Sequence, residues 1–210
     1  MTPAKRIMDV VFALGLLILL LPLIAGIALT ILLLDGRPVF YFSERMKSPN
    51  SSFLLWKFRT MQPSSKDQGV SGGDKANRIT FSGRILRRSR LDELPQLVNI
   101  LRGDMSFVGP RPPLPRYVEM FPDIYERVLR SRPGVTGMAS LVFHRREEVL
   151  LADCATPEQT ENVYCRRCIP RKARLDLIYA RQPSLCADFY LMVATVFRGM
   201  SLHRRNRGRQ

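Results

Sequence analysis

From Val10 to Leu34 the chain runs 25 residues without a charged side chain, and Thr30 is the one clearly polar position among them. As a straight helix this run is roughly 37 Å long, enough for a hydrocarbon core of about 30 Å. An ordinary water-soluble fold is excluded. Pro22 stands near the middle, where it removes a backbone donor and pushes Leu21 away from helical geometry, so a bend is expected at Leu21-Pro22. Lys5 and Arg6 precede the run, while Arg37, Arg45, Lys47, Lys57 and Arg59 follow it, so both flanks carry the charge typical of the cytoplasmic side. Two readings stay open on the residues alone. One is a kinked spanning helix. The other is a hairpin that dips into one leaflet, each arm of about 12 residues reaching roughly 18 Å, with Asp9 helping to support the bend at head-group level.

Beyond the run the periods change. Asp35-Gly36-Arg37-Pro38 reads as a turn, Val39 to Ser43 as a short strand, and Phe53 to Phe58 as a second apolar-aromatic piece. Gln62 to Thr80 is rich in Ser, Gly, Asp and Lys and reads as a mobile loop. Ile85 to Arg90 predicts a basic helical turn; Leu94, Leu97, Val98 and Leu101 recur at helical spacing up to Gly103. The stiff passage Val108 to Pro115 follows. Tyr117 to Leu129 gives a helical stripe, with Pro122 starting a new turn, and Arg132-Pro133-Gly134 stops it. From Asp188 to Met200, Phe189, Met192, Val193, Val196 and Phe197 share a face ahead of Arg204, Arg205, Arg207 and Arg209. That face fits a core helix or one lying in a membrane interface. No internal repeat occurs.

Composition adds a charge argument. The 210 residues carry a formal +15, of which residues 1–34 hold a net +1 through Lys5, Arg6 and Asp9, leaving +14 on residues 35–210. A surplus of that size gathers anions: nucleic acid, acidic head groups or phosphorylated small molecules. The apolar run favours a lipid phosphate over DNA. Four cysteines, Cys154, Cys165, Cys168 and Cys186, lack the density of a disulfide scaffold and fit a reducing compartment. Neither G-x-x-x-x-G-K-S/T nor G-x-G-x-x-G occurs, which removes support for the two common phosphate-cradle folds.

The densest chemistry is Arg87-Arg88-Ser89-Arg90-Leu91-Asp92-Glu93-Leu94-Pro95. Its plain reading is a helix start, with Ser89 as cap and two acids favoured by the dipole. Its chemical reading is a carboxylate kept ionised by neighbouring cations, which also hold a substrate phosphate beside it. Asp92 and Glu93 would then share a Mg²⁺ that bridges a diphosphate, and Arg111, fixed among prolines, would supply a further guanidinium.

Lys5-Arg6-x-x-Asp9 before a proline-interrupted apolar run, Lys57-Phe58-Arg59-Thr60-Met61, Leu91 to Leu97, Gly103 to Pro112 and Arg132 to Gly137 stand in an order and at separations that resemble the bacterial sugar transferases. These are small monotopic phosphoglycosyl transferases. The resemblance runs to about residue 140 and resumes weakly at Leu175 to Tyr179. It implies a mostly helical α/β chain, with a re-entrant helix-break-helix hairpin over residues 1–35 bent at Leu21-Pro22. A small catalytic domain with interfacial helices follows over 36–200, then a basic tail over 201–210. The expected location is the cytoplasmic face of a bacterial inner membrane. The implied reaction moves a sugar-1-phosphate from a UDP-sugar to polyprenyl phosphate, with Mg²⁺ and release of UMP. Asp92 is then the nucleophile that carries the phosphosugar, Glu93 its partner acid and co-ligand of the metal, and Lys57, Arg59, Arg87 and Arg111 contact phosphate. No nucleic-acid partner is implied, and self-association is left open.

Three departures stand out. Leu21 occupies the position before the membrane proline where the family usually has Ser. Glu44 to Asn50 replaces a glycine-bearing segment, and past residue 140 the pattern is largely lost. Cys165-x-x-Cys168 with Cys154 and His144 lacks a second paired motif, so free thiols are expected rather than zinc. His144 reads as a solvated surface residue, and Trp56 as a core or interface anchor. A non-catalytic basic scaffold binding acidic lipids or nucleic acid would explain the charge and the apolar run. It would not explain why a carboxylate pair interrupts the most basic segment.

Overall fold

The computed structural model describes residues 1–62, 78–154 and 156–206; of Val196 and residues 198–206 it describes the backbone alone. Most of the loop expected over Gln62 to Thr80 and the last four residues of the basic tail lie outside the described residues.

The apolar run forms one helix, α1, over Pro3–Leu34, with Thr2 as its cap and Pro22 inside it. The two separate arms expected from sequence are a single element. Pro22 withholds a donor from the carbonyl four residues earlier, but the apolar turns on either side keep helical geometry, and Leu21 and Pro22 are both exposed. The buried positions of α1 are Asp9, Ala13, Ile27 and Ile31. Asp9 and Ile27 are separated by five full turns, so all four lie on one stripe. Near its start, Ala13, Leu16 and Leu17 pack with Phe53, Leu55, Leu97, Ile100 and Met105. Near its end, Ile24, Ile27, Ala28 and Ile31 pack with Phe58 and Leu86. Both halves of α1 therefore rest on the same body. Its remaining faces leave Val11, Ile18, Leu19, Leu29 and Leu33 more than half exposed. An apolar surface this long calls for something other than water to cover it.

The charged flank does more than orient the helix. Arg6 donates to the carbonyls of Ile100 and Leu101 at 2.6 and 2.8 Å, and Lys5 pairs with the buried Asp188, which also receives the Tyr179 hydroxyl. Asp9, fully buried, accepts from the Phe107 amide at 3.2 Å.

Strands β1 (Phe40–Ser48) and β2 (Ser51–Phe58) form an antiparallel hairpin with Phe40 opposite Phe58 and Ser48 opposite Ser51. The Glu44 to Asn50 segment thus prolongs the first strand and makes the turn. Helices α2 (Phe81–Ser89) and α3 (Gln96–Arg102) flank a 3₁₀ turn at Leu91–Glu93. The fully buried Asn99 joins α3 to β2: its amide oxygen accepts from Trp56 N at 3.0 Å and its nitrogen donates to Leu54 O at 2.8 Å.

Strands β3 (Ser106–Val108) and β4 (Gly134–Thr136) pair in parallel, and the sequence pattern signalled neither. Their backbones touch so closely that a Cβ on Gly134 would sit 2.1 Å from Gly109 N, and one on Gly109 would sit 2.2 Å from Arg132 O. Between them run α4 (Pro115–Met120) and α5 (Pro122–Val128), with Pro122 opening the second as expected. The chain ends in α6 (Met138–Ala152), α7 (Pro157–Val163), a wide-turn stretch at Tyr164–Cys168, α8 (Ile169–Arg181) and α9 (Leu185–Asn206). A core of Tyr117, Tyr125, Val128, Leu129, Cys165 and Ile169 locks α4, α5 and α8 together. In α9 the buried positions are Asp188 and Leu191, whereas Phe189 and Phe197 of the expected apolar face are exposed.

Candidate active site

The Asp92-Glu93 pair is placed by backbone geometry. Arg90, at the end of α2, takes the left-handed conformation (φ 61°), which reverses the chain into the one-turn 3₁₀ segment. Ser89 does not cap the acids as its plain reading required; its hydroxyl turns back to the carbonyls of Ile85 and Leu86. With the helical-cap explanation gone, the two carboxylates need another account.

Glu93 is clamped. Lys57 Nζ on β2 donates to its Oε1 at 2.9 Å, and Arg111 Nη2 donates to the same oxygen at 3.0 Å. Burial alone would raise this carboxyl's pKa, but the charges and hydrogen bonds of Arg111 and Lys57 outweigh it and hold Glu93 far below the usual carboxylate range. Arg111 is held more firmly charged by Glu93, while burial pulls the Lys57 ammonium down against the opposing pull of Glu93.

Asp92 is different. It is 8% exposed, and its Oδ1 is buried with no hydrogen-bond partner. Burial raises its pKa, opposed by the cations Lys57, Arg87 and Arg90 and reinforced by Glu93. The result is a poorly solvated carboxyl beside fixed positive charge.

Lys57, Arg87 and Arg111 thus gather at the pair as expected. Arg87 reaches it through its charge while its Nε donates to Thr60 Oγ1 at 2.8 Å. Arg59 does not. Its backbone prolongs the hairpin pairing by one step, Arg59 N donating to Val39 O at 2.9 Å. Its guanidinium instead donates to the carbonyls of Asp35, Gly36 and Arg37 at 2.5 to 3.1 Å, closing the turn after α1. Arg59 thus staples that turn and stands apart from the acid pair.

Glu93 and Arg111 open onto a cavity of about 800 Å³ whose lining also includes Arg45, Arg90, His144, Glu147, Tyr164 and Lys172. Sequence reasoning singled out none of these as site residues. Arg45 donates to Pro112 O at 3.3 Å, and Met46 N to Pro113 O at 3.0 Å, so β1 fixes the proline passage that carries Arg111. His144 stands on the cavity lining, 3.5 Å from an Arg90 nitrogen and 3.4 Å from a Glu148 oxygen. The cysteines are free thiols; burial pushes Cys168 up to about 11 and Cys165 upward, which makes both poor ligands.

Among the described residues no group of three or more His, Cys, Asp or Glu converges as a metal centre. The Asp92-Glu93 pair still suits Mg²⁺, which is commonly held by one or two carboxylates and substrate phosphates. Asp92 Oδ1 is an acceptor that no protein donor claims.

The sequence pattern of the family described as "Bacterial sugar transferase" matches residues 1–201. The UDP-glucose:undecaprenyl-phosphate glucose-1-phosphate transferase of Escherichia coli (strain K12) is 33% identical over 93% of this chain and 40% of its own length. The UDP-N-acetylgalactosamine-undecaprenyl-phosphate N-acetylgalactosaminephosphotransferase of Aeromonas hydrophila is 36% identical over 66% of this chain and 34% of its own. The exopolysaccharide production protein ExoY of Sinorhizobium fredii is 38% identical over 64% of this chain and 67% of its own. The first two relatives are thus much longer than the part they share with this chain.

Proposed function

This chain belongs to the bacterial sugar transferase family, and from that premise we propose that it moves a sugar-1-phosphate from a UDP-sugar to undecaprenyl phosphate and releases UMP. The observation that carries the reading is the asymmetry of the acid pair: Glu93 held ionised by two cations, Asp92 buried beside them with an oxygen that no donor satisfies.

Asp92 attacks the sugar-proximal phosphorus. The phosphorus–oxygen bond to UMP breaks, the leaving oxygen carries its electron pair away, and the sugar phosphate remains as an aspartyl ester. The acceptor's phosphate oxygen then attacks the same phosphorus and Asp92 is released. Arg111 and Lys57 neutralise the charge that gathers on the phosphoryl oxygens, and Glu93 keeps both cations in position. Asp92 Oδ1 and the second Glu93 oxygen would hold Mg²⁺, which when bound supplies further neutralisation of the diphosphate. A covalent relay lets a soluble donor and a lipid acceptor use one site in turn.

A membrane setting with α1 dipping into one leaflet is supported by its exposed apolar faces and by the docking of both its halves on one body; the basic residues on both flanks of α1 favour the cytoplasmic face. A helix running straight through a bilayer would carry one end away from that body.

The test is UMP release by the full chain in lipid nanodiscs with undecaprenyl phosphate, Mg²⁺ and a panel headed by UDP-glucose and UDP-N-acetylgalactosamine. Turnover of at least one donor, lost in Asp92→Asn, is expected. No turnover with any donor would sink the reading.

A further inference from the structure

The cavity has a second wall that the phosphate chemistry leaves unused. On it Lys172 Nζ, from α8, donates to both carboxylate oxygens of Glu147, from α6, at 3.0 and 3.1 Å. The two side chains are 16% and 20% exposed. The Tyr164 ring stands beside them, its centroid 5.3 Å from the ammonium. All three line the cavity onto which Glu93 and Arg111 open.

An ion pair this far from water is a weak source of stability, since desolvation offsets most of the attraction, and apolar residues of similar volume would pack α6 on α8 as well. Its form suits recognition. A fixed ammonium and a fixed carboxylate offer donor and acceptor side by side, and sugar hydroxyls are donor and acceptor at once. The Tyr164 ring, faced by the ammonium and tilted against Tyr117 with centroids 5.2 Å apart, holds the lysine in place.

Resting on the reading of Asp92 as the phosphosugar carrier, we propose that Lys172 and Glu147 receive the hexose of the donor and set which hydroxyl configuration is accepted. Asp92 does not itself line the cavity, but its neighbours Glu93 and Arg111 do, which places a hexose bonded to the attacked phosphate at the Arg111 end of it. Arg111 feels this pair: the Glu147 carboxylate holds its guanidinium more firmly charged, and Arg111 in turn opposes the charge on Lys172.

The experiment measures kcat/KM for UDP-glucose, UDP-galactose and their two N-acetylated counterparts in nanodiscs, for the wild type and for Lys172→Met, Glu147→Gln and Lys172→Arg. Inhibition by UMP is measured alongside. In Lys172→Met and Glu147→Gln the preference for the best donor over its epimer should fall about tenfold, the size of one good hydrogen bond. The UMP inhibition constant should stay within about twofold of the wild-type value. Lys172→Arg preserves the ion pair but moves its donors, so it should change the donor ratio without loss of folded protein; it keeps the test decisive if the other two fail to fold. An equal fall for every donor would mark the pair as structural and overturn the proposal. A rise in the UMP constant in step with the loss would place the nucleoside there instead, also overturning it. Either result in an otherwise active enzyme leaves the transferase reading standing, whereas a wild type inactive on every donor removes that reading and this one together.

Discussion

Asp92 and Glu93 are neighbours in one turn, yet their surroundings push them in opposite directions. Burial raises the Asp92 pKa while Lys57, Arg87 and Arg90 pull it back; Arg111 and Lys57 overcome burial at Glu93 and keep it ionised. A carboxyl with a raised pKa is protonated, and so unable to attack, as pH falls through that value. The acid limb of kcat/KM should therefore lie above the ordinary aspartate value. Lys57→Met removes the strongest cation acting on Asp92 and should move that limb to higher pH, read from a pH–rate profile; an unmoved limb would separate Lys57 from the nucleophile. Arg111→Met leaves Glu93 with one cation and removes a donor aimed at the phosphate site, so kcat should fall by roughly 10²-fold. Single-turnover rates with a working donor check this. The Asp92-Glu93 pair and Arg111 stood out in sequence because acids interrupt a basic segment and a guanidinium is fixed among prolines, whereas Lys57 and Arg87 were reached through the family resemblance. Arg59, named with Lys57 because both belong to one motif, is drawn instead to the carbonyls of the turn after α1. Lys172 and Glu147 gave no signal, since 25 residues separate them and only the packing of α6 on α8 makes them a pair.

At the scale of elements, both strands of the first hairpin and helices α1, α3, α5 and α9 stand close to where the hydrophobic pattern put them, whereas α6, α7 and α8 carried no such signal. The parallel pair of β3 and β4 was hidden because each strand is three residues long, too short for a period to show. What marks the pair in sequence is glycine. Gly109 and Gly134 are present because two backbones meet there with no room for a Cβ, and this contact brings the Arg111 passage beside β4. Gly134→Ala forces the strands apart and should destabilise the protein by about 1–3 kcal/mol, in the range of overpacked sites. Thermal unfolding in detergent, with turnover measured on the folded fraction, checks it; an unchanged melting point would mean that the contact is not tight. The break expected at Pro22 did not appear as a gap between two helices, because a proline in an apolar helix costs a hydrogen bond without ending the helix.

For the whole molecule, α1 links the apolar surface to the acid pair. Arg6 and Asp9 tie its first turns to α3 and β3, and its last turns pack beside Phe58 and Leu86, on the strand and helix that carry Lys57 and Arg87. The reactive turn is thereby held at a fixed depth relative to the exposed apolar faces of α1. Cysteines placed at Thr2 and Ser51 should react with an impermeant thiol reagent only in opened cells, both alike; labelling of Thr2→Cys alone in intact cells would mean that α1 crosses the membrane. The covalent relay at Asp92 is tested most directly by intact-mass and peptide-mapping spectrometry of the enzyme incubated with a working UDP-sugar and no lipid acceptor. One sugar phosphate should appear on the peptide containing Asp92, and undecaprenyl phosphate should remove it. An enzyme that turns over fully yet never carries that mass, or carries it on another residue, would contradict the mechanism.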